Sequence, residues 1–324
     1  MTTSGYEALR TSAAWIDLSN RGTIRVSGED RARLMHAMCT NHVLDLAPGD
    51  GLYAFFLNAQ GRILADAYVF NLDETLVLDT EPETAARLRE HLDRYIIADD
   101  AALDDETAQW AKIGLEGPEA LDTAARLGIP APQKRYCLQV FDSGFVAKVA
   151  SSGPDGLRIF LPRAGKEPFL QRLSNAGIPE VNASDARIVR LELGKPRYGE
   201  DITERYLVQE TRELDAVHSN KGCYLGQEIV ERVRSRGQVH RLLTPIRIHT
   251  KQPPPPGTKL TAEGKDVAEI TSSAYSPAFD ETVALAYVRS EAAQQKPEMV
   301  VTGSDPVLTA HIAHPIHQMS PASR

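Results

Sequence analysis

The sequence predicts an α+β fold, with antiparallel sheets covered by helices on one side and a small closed β-domain at the C-terminal end. Three observations carry this expectation. Strand-like and helix-like segments mix without the strict alternation of a parallel sheet. Several short runs have strand character, among them Gly51 to Leu57 and Arg62 to Phe70, with Asn58-Ala59-Gln60-Gly61 supplying the turn between them. Around and beyond the proline run Pro253 to Pro256, only short β-rich stretches recur.

Taken in order, Thr23 to Val26 reads as a strand. Ser27 offers an N-cap oxygen to a helix from about Glu29, whose apolar face is Leu34, Met35 and Met38. After the hairpin, a third strand spans Thr75 to Asp79. Thr80 and Glu83 have capping-box spacing, ahead of a helix that sets Leu88, Leu92 and Tyr95 against a sheet. A strand near Lys112 to Leu115, a helix from Pro118 to Leu127, strands across Tyr136 to Leu161 and a helix from Lys166 to Asn175 follow. Four prolines cannot donate ladder bonds or continue a helix, so Pro253 to Pro256 reads as a stiff linker or loop. The last strands are Thr244 to His249, Val267 to Ile270, Thr282 to Tyr287 and Met299 to Val301, and the tail after Pro315 is expected to be loose.

At 324 residues the chain exceeds a single core, so two or three domains are expected. Met1 to Arg10 lacks the apolar stretch of a secretory signal, and no window approaches the roughly 20 apolar residues of a membrane-spanning helix. A cytoplasmic protein is the expectation, with no membrane partner. The net charge of −8 argues against direct nucleic-acid binding, despite a local basic cluster of Arg232, Arg234, Arg236, His240 and Arg241. Three dispersed cysteines, Cys39, Cys137 and Cys223, fit neither a disulfide framework nor a zinc site, and cannot supply four thiolates to an iron–sulfur cluster. No metal site is expected. His311, His314 and His317 read as a solvated tail, and the acidic run Asp99, Asp100, Asp104, Asp105 and Glu106 as a solvated loop.

The segment richest in chemistry is Lys221-Gly222-Cys223-Tyr224-Leu225-Gly226-Gln227-Glu228. Ile229, Val230 and Val233 form a stripe opposite Glu228, Glu231 and Arg232, so a helix is expected from near Leu225 to Gly237. Cys223 would then sit at or just before a helix N-terminus two residues from Lys221, and both features favour thiolate. The residues alone leave this reading level with a buried, inert cysteine. Asp66 shares a strand face with Leu64, Tyr68 and Phe70, so its carboxylate must be paired, ligand-facing or at the strand's solvent end. Glu192, read from the residues, is a helix-surface charge paired to Arg187 or Arg190.

The eight-residue string resembles the signature of the YgfZ family, with Arg232, Arg236-Gly237 and Arg241 standing where that family has basic residues. Arg25 to Asp30, Cys39-Thr40-Asn41, Leu57 to Arg62, Leu191 to Gly194, Arg197-Tyr198-Gly199 and Asp201-Ile202 resemble, in order, segments of the folate-binding aminomethyltransferase fold of glycine cleavage. The resemblance implies a ring of two intertwined ferredoxin-like subdomains around a central folate channel, residues 1–241, and a C-terminal β-barrel with a loose tail, 242–324. It implies tetrahydrofolate or a derivative as cofactor. Asp66, Glu192 and Tyr198 would bind it, with Glu192 facing the pterin, and Cys223 would be the reactive group. It implies an accessory role for iron–sulfur enzymes, including radical enzymes that modify tRNA, through transient contact with client or assembly proteins. The aminomethyltransferases carry two adjacent aspartates where this chain has Ala65-Asp66, which argues against methylene transfer. The competing functions are a tetrahydrofolate-dependent aminomethyltransferase or demethylase-like enzyme, and a scaffold without folate.

Overall fold

A computed structural model of the chain describes residues 4–237 and 239–313. It opens with α1 (Ser4–Thr11) and β1 (Ala14–Asp17), two elements that the sequence pattern does not announce. Next come β2 (Gly22–Ser27), α2 (Arg31–Met38), the hairpin β3 (Gly51–Leu57) and β4 (Ile63–Asn71), β5 (Leu76–Thr80), α3 (Ala85–Asp93) and β6 (Ala102–Asp105). A second group follows: β7 (Trp110–Glu116), α4 (Ala120–Arg126), β8 (Leu138–Phe141), β9 (Gly144–Ala147), β10 (Gly156–Pro162) and α5 (Lys166–Asn175).

These strands form two five-stranded sheets, in the orders β3-β4-β5-β2-β6 and β1-β7-β10-β9-β8, and every ladder in both is antiparallel. The first strand of the chain belongs to the second sheet, so the two subdomains interleave. Helices α2 and α3 cover the outer face of the first sheet with Leu34, Met35, Met38, Leu88 and Leu92. Helices α4 and α5 cover the outer face of the second with Ala120, Ala124, Phe169 and Leu173. The inner faces meet through Phe70, Val77, Phe145 and Phe160, with Phe145 and Phe160 stacked at 4.1 Å.

Beside that aromatic layer lies a buried ion cluster. Asp79 on β5 takes Arg21, Lys112 and Arg158, with Lys112 Nζ at 3.0 Å from its carboxylate. Burial opposes the carboxylate's charge, but the three cations outweigh it and hold Asp79 far below the usual range. Lys112 is lowered to about 8 by the same burial.

The rest of the chain runs through α6 (Ala183–Glu192), α7 (Val208–Thr211) and α8 (Gln227–Arg236) into the barrel. Strands β11 (Arg241–Ile248), β12 (Lys259–Ala262), β13 (Lys265–Ser276) and β14 (Glu281–Arg289), helix α9 (Ser290–Gln295), and strands β15 (Met299–Val301) and β16 (Thr309–Ile312) complete it. The six strands close in the order β11-β14-β13-β12-β15-β16, which removes free edges. The proline run lies inside this domain, between β11 and β12.

Several local expectations need correction. The acidic run is not all loop, because Ala102–Asp105 pairs with β2 as the edge strand β6, where outward charges blunt an open ladder. Thr80 caps no helix, since it ends β5 and donates its hydroxyl to the Asp66 carbonyl at 2.5 Å. Asp30 rather than Ser27 precedes α2, and Tyr95 falls beyond α3. His311 belongs to β16, while His314, His317 and the tail after Pro315 lie outside the described residues. No helix among the described residues is long and apolar enough to cross a membrane.

Candidate functional site

A chamber of about 390 Å³ opens beside the ion cluster, walled by the end of β1, the β3–β4 hairpin, α6 and the loops after β5 and β9. Its size suits a small organic ligand. Alternation on β4 builds one wall. Ala65, Ala67 and Val69 face the core under α2 and α3, so Asp66 and Tyr68 face the other way and line the chamber. On the neighbouring strand Tyr53 stands directly across from Tyr68, and their rings lie 5.1 Å apart.

The chamber is lined by four carboxylates, and three of them are in ion pairs. Asp17 meets Lys166 at 2.6 Å, Glu81 meets Arg21 and Arg197, and Glu200 meets Arg187 and Arg190. Asp66 has none. Its Oδ2 accepts the Tyr53 hydroxyl at 2.7 Å, and its buried Oδ1 has no hydrogen-bond partner among the described residues. Burial first, and then the nearby Glu81 carboxylate, push Asp66 up to about 7. Near neutrality this group passes between an acceptor-only anion and an acid that carries a proton to donate.

The other two residues expected to touch a cofactor are engaged elsewhere. Glu192 neither faces the chamber nor pairs with Arg187 or Arg190. It is buried where α1, α6 and the barrel meet, and accepts from Tyr6 Oη at 2.6 Å, Ser276 Oγ at 2.6 Å and Arg10 Nε at 2.9 Å. Tyr198 is buried and gives its hydroxyl to the carbonyls of Leu64 and Ile63, at 2.7 and 3.0 Å, so it braces the strand that carries Asp66.

The loop from Lys221 to Glu228 lies apart from these lining residues, and nearly every group in it has a structural task. The buried Lys221 ammonium donates to the carbonyls of His36, Cys39 and Asn41 at 2.5, 2.6 and 2.7 Å. It thereby satisfies the C-terminal end of α2, where carbonyls lack helical partners. Burial lowers it to about 8. This corrects the expectation that Lys221 acts on Cys223, because the ammonium points inward, toward the Cys39 segment. Tyr224 packs its ring 4.8 Å from the same ammonium, and Leu225 N–H donates to the Ala37 carbonyl at 3.0 Å. Gln227 Oε1 accepts from Tyr224 N–H at 3.3 Å. Gly226 is left-handed (φ 82°), and a Cβ there would stand 2.7 Å from the Asn58 carbonyl, so the loop interlocks with the β3–β4 turn only as glycine.

Helix α8 starts at Gln227, two residues beyond the expected start near Leu225, and Cys223 lies three residues ahead of its left-handed cap Gly226. The Cys223 thiol is exposed and has no hydrogen-bond partner among the described residues. Gly222 beside it, and Glu228 and Arg232 on α8, are exposed, and Arg236 closes α8. Arg241 opens the barrel, bound to Glu210 at 2.8 Å with its guanidinium 4.9 Å from the Tyr206 ring. Cys39 is buried. Cys137 donates its thiol to Asp50 at 2.9 Å. Among the described residues no group of three or more His, Cys, Asp or Glu side chains is placed to hold a metal ion.

Comparison with known proteins decides the family. Residues 1–221 match the GCVT N-terminal domain, and residues 241–316 match the glycine cleavage T-protein C-terminal barrel domain. The chain belongs to the glycine cleavage T-protein family. A chloroplast protein of Arabidopsis thaliana named as a transferase is 26% identical over 294 residues, covering 89% of this chain and 68% of its own length. An aminomethyltransferase of Rubrobacter xylanophilus is 27% identical over 293 residues, covering 88% of this chain and 78% of its own. The crystal structure of the glycine cleavage system aminomethyltransferase T of Bartonella henselae superposes with a TM-score of 0.88 at 21% identity, covering 96% of this chain and 87% of that one.

Within this T-protein fold, sequence reasoning placed Asp66 on the face that lines the chamber but missed Tyr53, Arg21 and Glu81. Tyr53 meets Tyr68 because the register shifts by one residue between Phe56 and Leu57, so a plain count back from the Asn58–Gly61 turn does not set the two rings opposite each other. Arg21 and Glu81 carried no signal, because they join the chamber only when the two sheets pack.

Proposed function

We propose that this T-protein family member is a folate-binding accessory protein of the YgfZ kind, which supports iron–sulfur enzymes, radical tRNA-modifying enzymes among them, through Cys223. The observation behind this reading is the construction of the Lys221–Glu228 loop. Lysine, tyrosine, leucine, glycine and glutamine are used to hold it, while Cys223 is exposed between Gly222 and Tyr224 with no hydrogen-bond partner for its thiol among the described residues. A residue kept for packing would be buried, as Cys39 is.

The chamber fits a reduced pterin. Tyr53 and Tyr68 offer aromatic faces, and the orphan Oδ1 of Asp66 is a buried polar atom in want of a partner. Asp66 takes the recognition role that the resemblance gave to Glu192. Tetrahydrofolate, when bound, would supply a one-carbon carrier between its N5 and N10 atoms. This chain would contribute the cavity, the two rings and one ionisable carboxyl. The client or assembly proteins would meet Cys223 transiently.

The test is Cys223→Ser in cells that lack the native protein. Folding and tetrahydrofolate binding are expected to persist while the activity of cluster-dependent enzymes falls. Full support of those enzymes by the serine variant would refute the proposal.

A second reading is a tetrahydrofolate-dependent aminomethyltransferase or demethylase-like enzyme. It is favoured by the relatives' names and by an acid in the chamber with a value near neutrality. Robust turnover of an aminomethyl-lipoyl donor would establish it over the first.

A further inference from the structure

The loop that carries Cys223 is tied along the C-terminal turn of α2. His218 N–H donates to the Thr40 carbonyl at 3.0 Å, Lys221 Nζ to that of His36 at 2.5 Å, and Leu225 N–H to that of Ala37 at 3.0 Å. Cys223 is thereby held between the last two ties, next to the turn that carries His36.

His36 is one of three imidazoles gathered at this place. His42 stands edge-on to it at 4.6 Å, and His218 lies 5.1 Å from His42. His36 is the innermost, only 8% exposed, and its Nδ1 accepts the Val43 N–H at 3.3 Å. That bond fixes the tautomer, so the proton of the neutral ring sits on Nε2. Nε2 itself has no hydrogen-bond partner among the described residues. Burial, then the Lys221 and His42 charges, lower His36 to about 4, with His218 acting in the same sense and Asp45 against them. Near neutral pH the ring is therefore an uncharged donor.

Gly222 shows where that donor points. Its backbone is not left-handed. Apart from its chain neighbours, one atom among the described residues would lie within 4 Å of a Cβ there, His36 Nε2 at 3.9 Å. Neither strain nor crowding asks for glycine at this position. Its lack of a side chain leaves the Nε2–H uncovered beside the residue with the exposed thiol.

We infer that His36 is a positioning residue for Cys223, its buried Nε2–H serving as a fixed donor to the sulfur once the thiol has ionised. The inference rests on the reactive-thiol reading above and names the group that steadies the anion. The sulfur keeps the electron pair of its S–H bond, the proton leaves to water, and the exposed side chain turns toward Nε2–H. His36 shares its own proton without giving it up.

Alkylation of the full-length protein by iodoacetamide across the thiol titration range, followed at Cys223 by peptide mass spectrometry, tests this. His36→Phe keeps the core filled and has no donor. Its profile is expected about one unit higher in pH. Alkylation should be about threefold slower near neutrality and about threefold faster at the alkaline plateau, because a more basic thiolate is the better nucleophile. A histidine needed only for packing would move both limbs in the same direction. His36→Gln, which keeps an N–H at similar reach, should restore most of the wild-type profile. Nitrogen NMR of the His36 ring gives a readout that leaves the core intact. The Nε2–H resonance should move as Cys223 ionises in the wild-type protein and stay fixed in Cys223→Ser. A resonance unmoved in the wild-type protein, or a His36→Phe profile equal to wild type, overturns the inference and leaves the thiol reading standing. Full support of cluster-dependent enzymes by Cys223→Ser overturns that reading instead, whatever the alkylation profile.

Discussion

Tyr53 donates its hydroxyl to one oxygen of Asp66 at 2.7 Å, and the other oxygen of the same carboxyl is buried in the chamber wall without a partner. A buried acid with half its hydrogen-bonding capacity unused is costly when ionised. Under the folate reading proposed above, a bound ligand would complete it.

The cost has a pH signature. Asp66 is raised in the folded chain, to about 7 from an ordinary 3.8. Between those values the folded state holds the proton more firmly, so this residue's contribution to stability falls as pH rises, and flattens above about 7. Asp66→Asn should therefore raise the melting temperature of the ligand-free protein more at pH 8 than at pH 5, a gain on the order of 1–3 kcal/mol. Equal gains at the two pH values would show that the acid is not perturbed.

Asp79 behaves in the opposite sense. Its folded value is depressed, so the stability it contributes is present above the ordinary carboxylate range and is lost as pH falls toward the depressed value. Asp79→Asn leaves Arg21, Lys112 and Arg158 buried around a neutral amide. A loss of about 3–5 kcal/mol is expected, as for other broken buried pairs. Urea denaturation measures it, and a loss under about 1 kcal/mol would mean that water reaches the cluster.

Thiol labelling separates the three cysteines. Cys223 is exposed and Cys39 is buried, its thiol pushed up by that burial. Cys137 is pushed up to about 11 by burial and by the neighbouring Asp50. One thiol should react rapidly with a maleimide in the native protein, and Cys223→Ser should abolish that phase. Persistence of the fast phase in the serine variant would place the reactive thiol elsewhere.

Lys221→Met removes three hydrogen bonds from one buried ammonium and leaves carbonyls at the end of α2 without partners. A loss of about 2–4 kcal/mol is expected, with faster hydrogen exchange across residues 218–226. Unchanged exchange there would remove Lys221 as the pin of the loop.

Local pattern made much of this fold legible. Helix α5 has the bounds its periodicity suggests, and alternation on β4 put Asp66, Tyr68 and Phe70 on one face. What stayed hidden depends on distant partners. Strand β1 is too short to show a period and is defined by pairing with β7. Glu192 has arginines at helical spacing, yet Tyr6 on α1 and Ser276 on the barrel take its carboxylate. Lys221 and Cys223 are close in sequence, but the backbone turns one inward and the other out, which no spacing rule reveals.

The most direct measurement is calorimetric titration of tetrahydrofolate into the wild-type protein, Asp66→Asn and Cys223→Ser. One site is expected, weakened by about tenfold or more in Asp66→Asn, as loss of a buried charged hydrogen bond would give, and unchanged in Cys223→Ser. No heat from the wild-type protein at near-millimolar ligand would contradict the account.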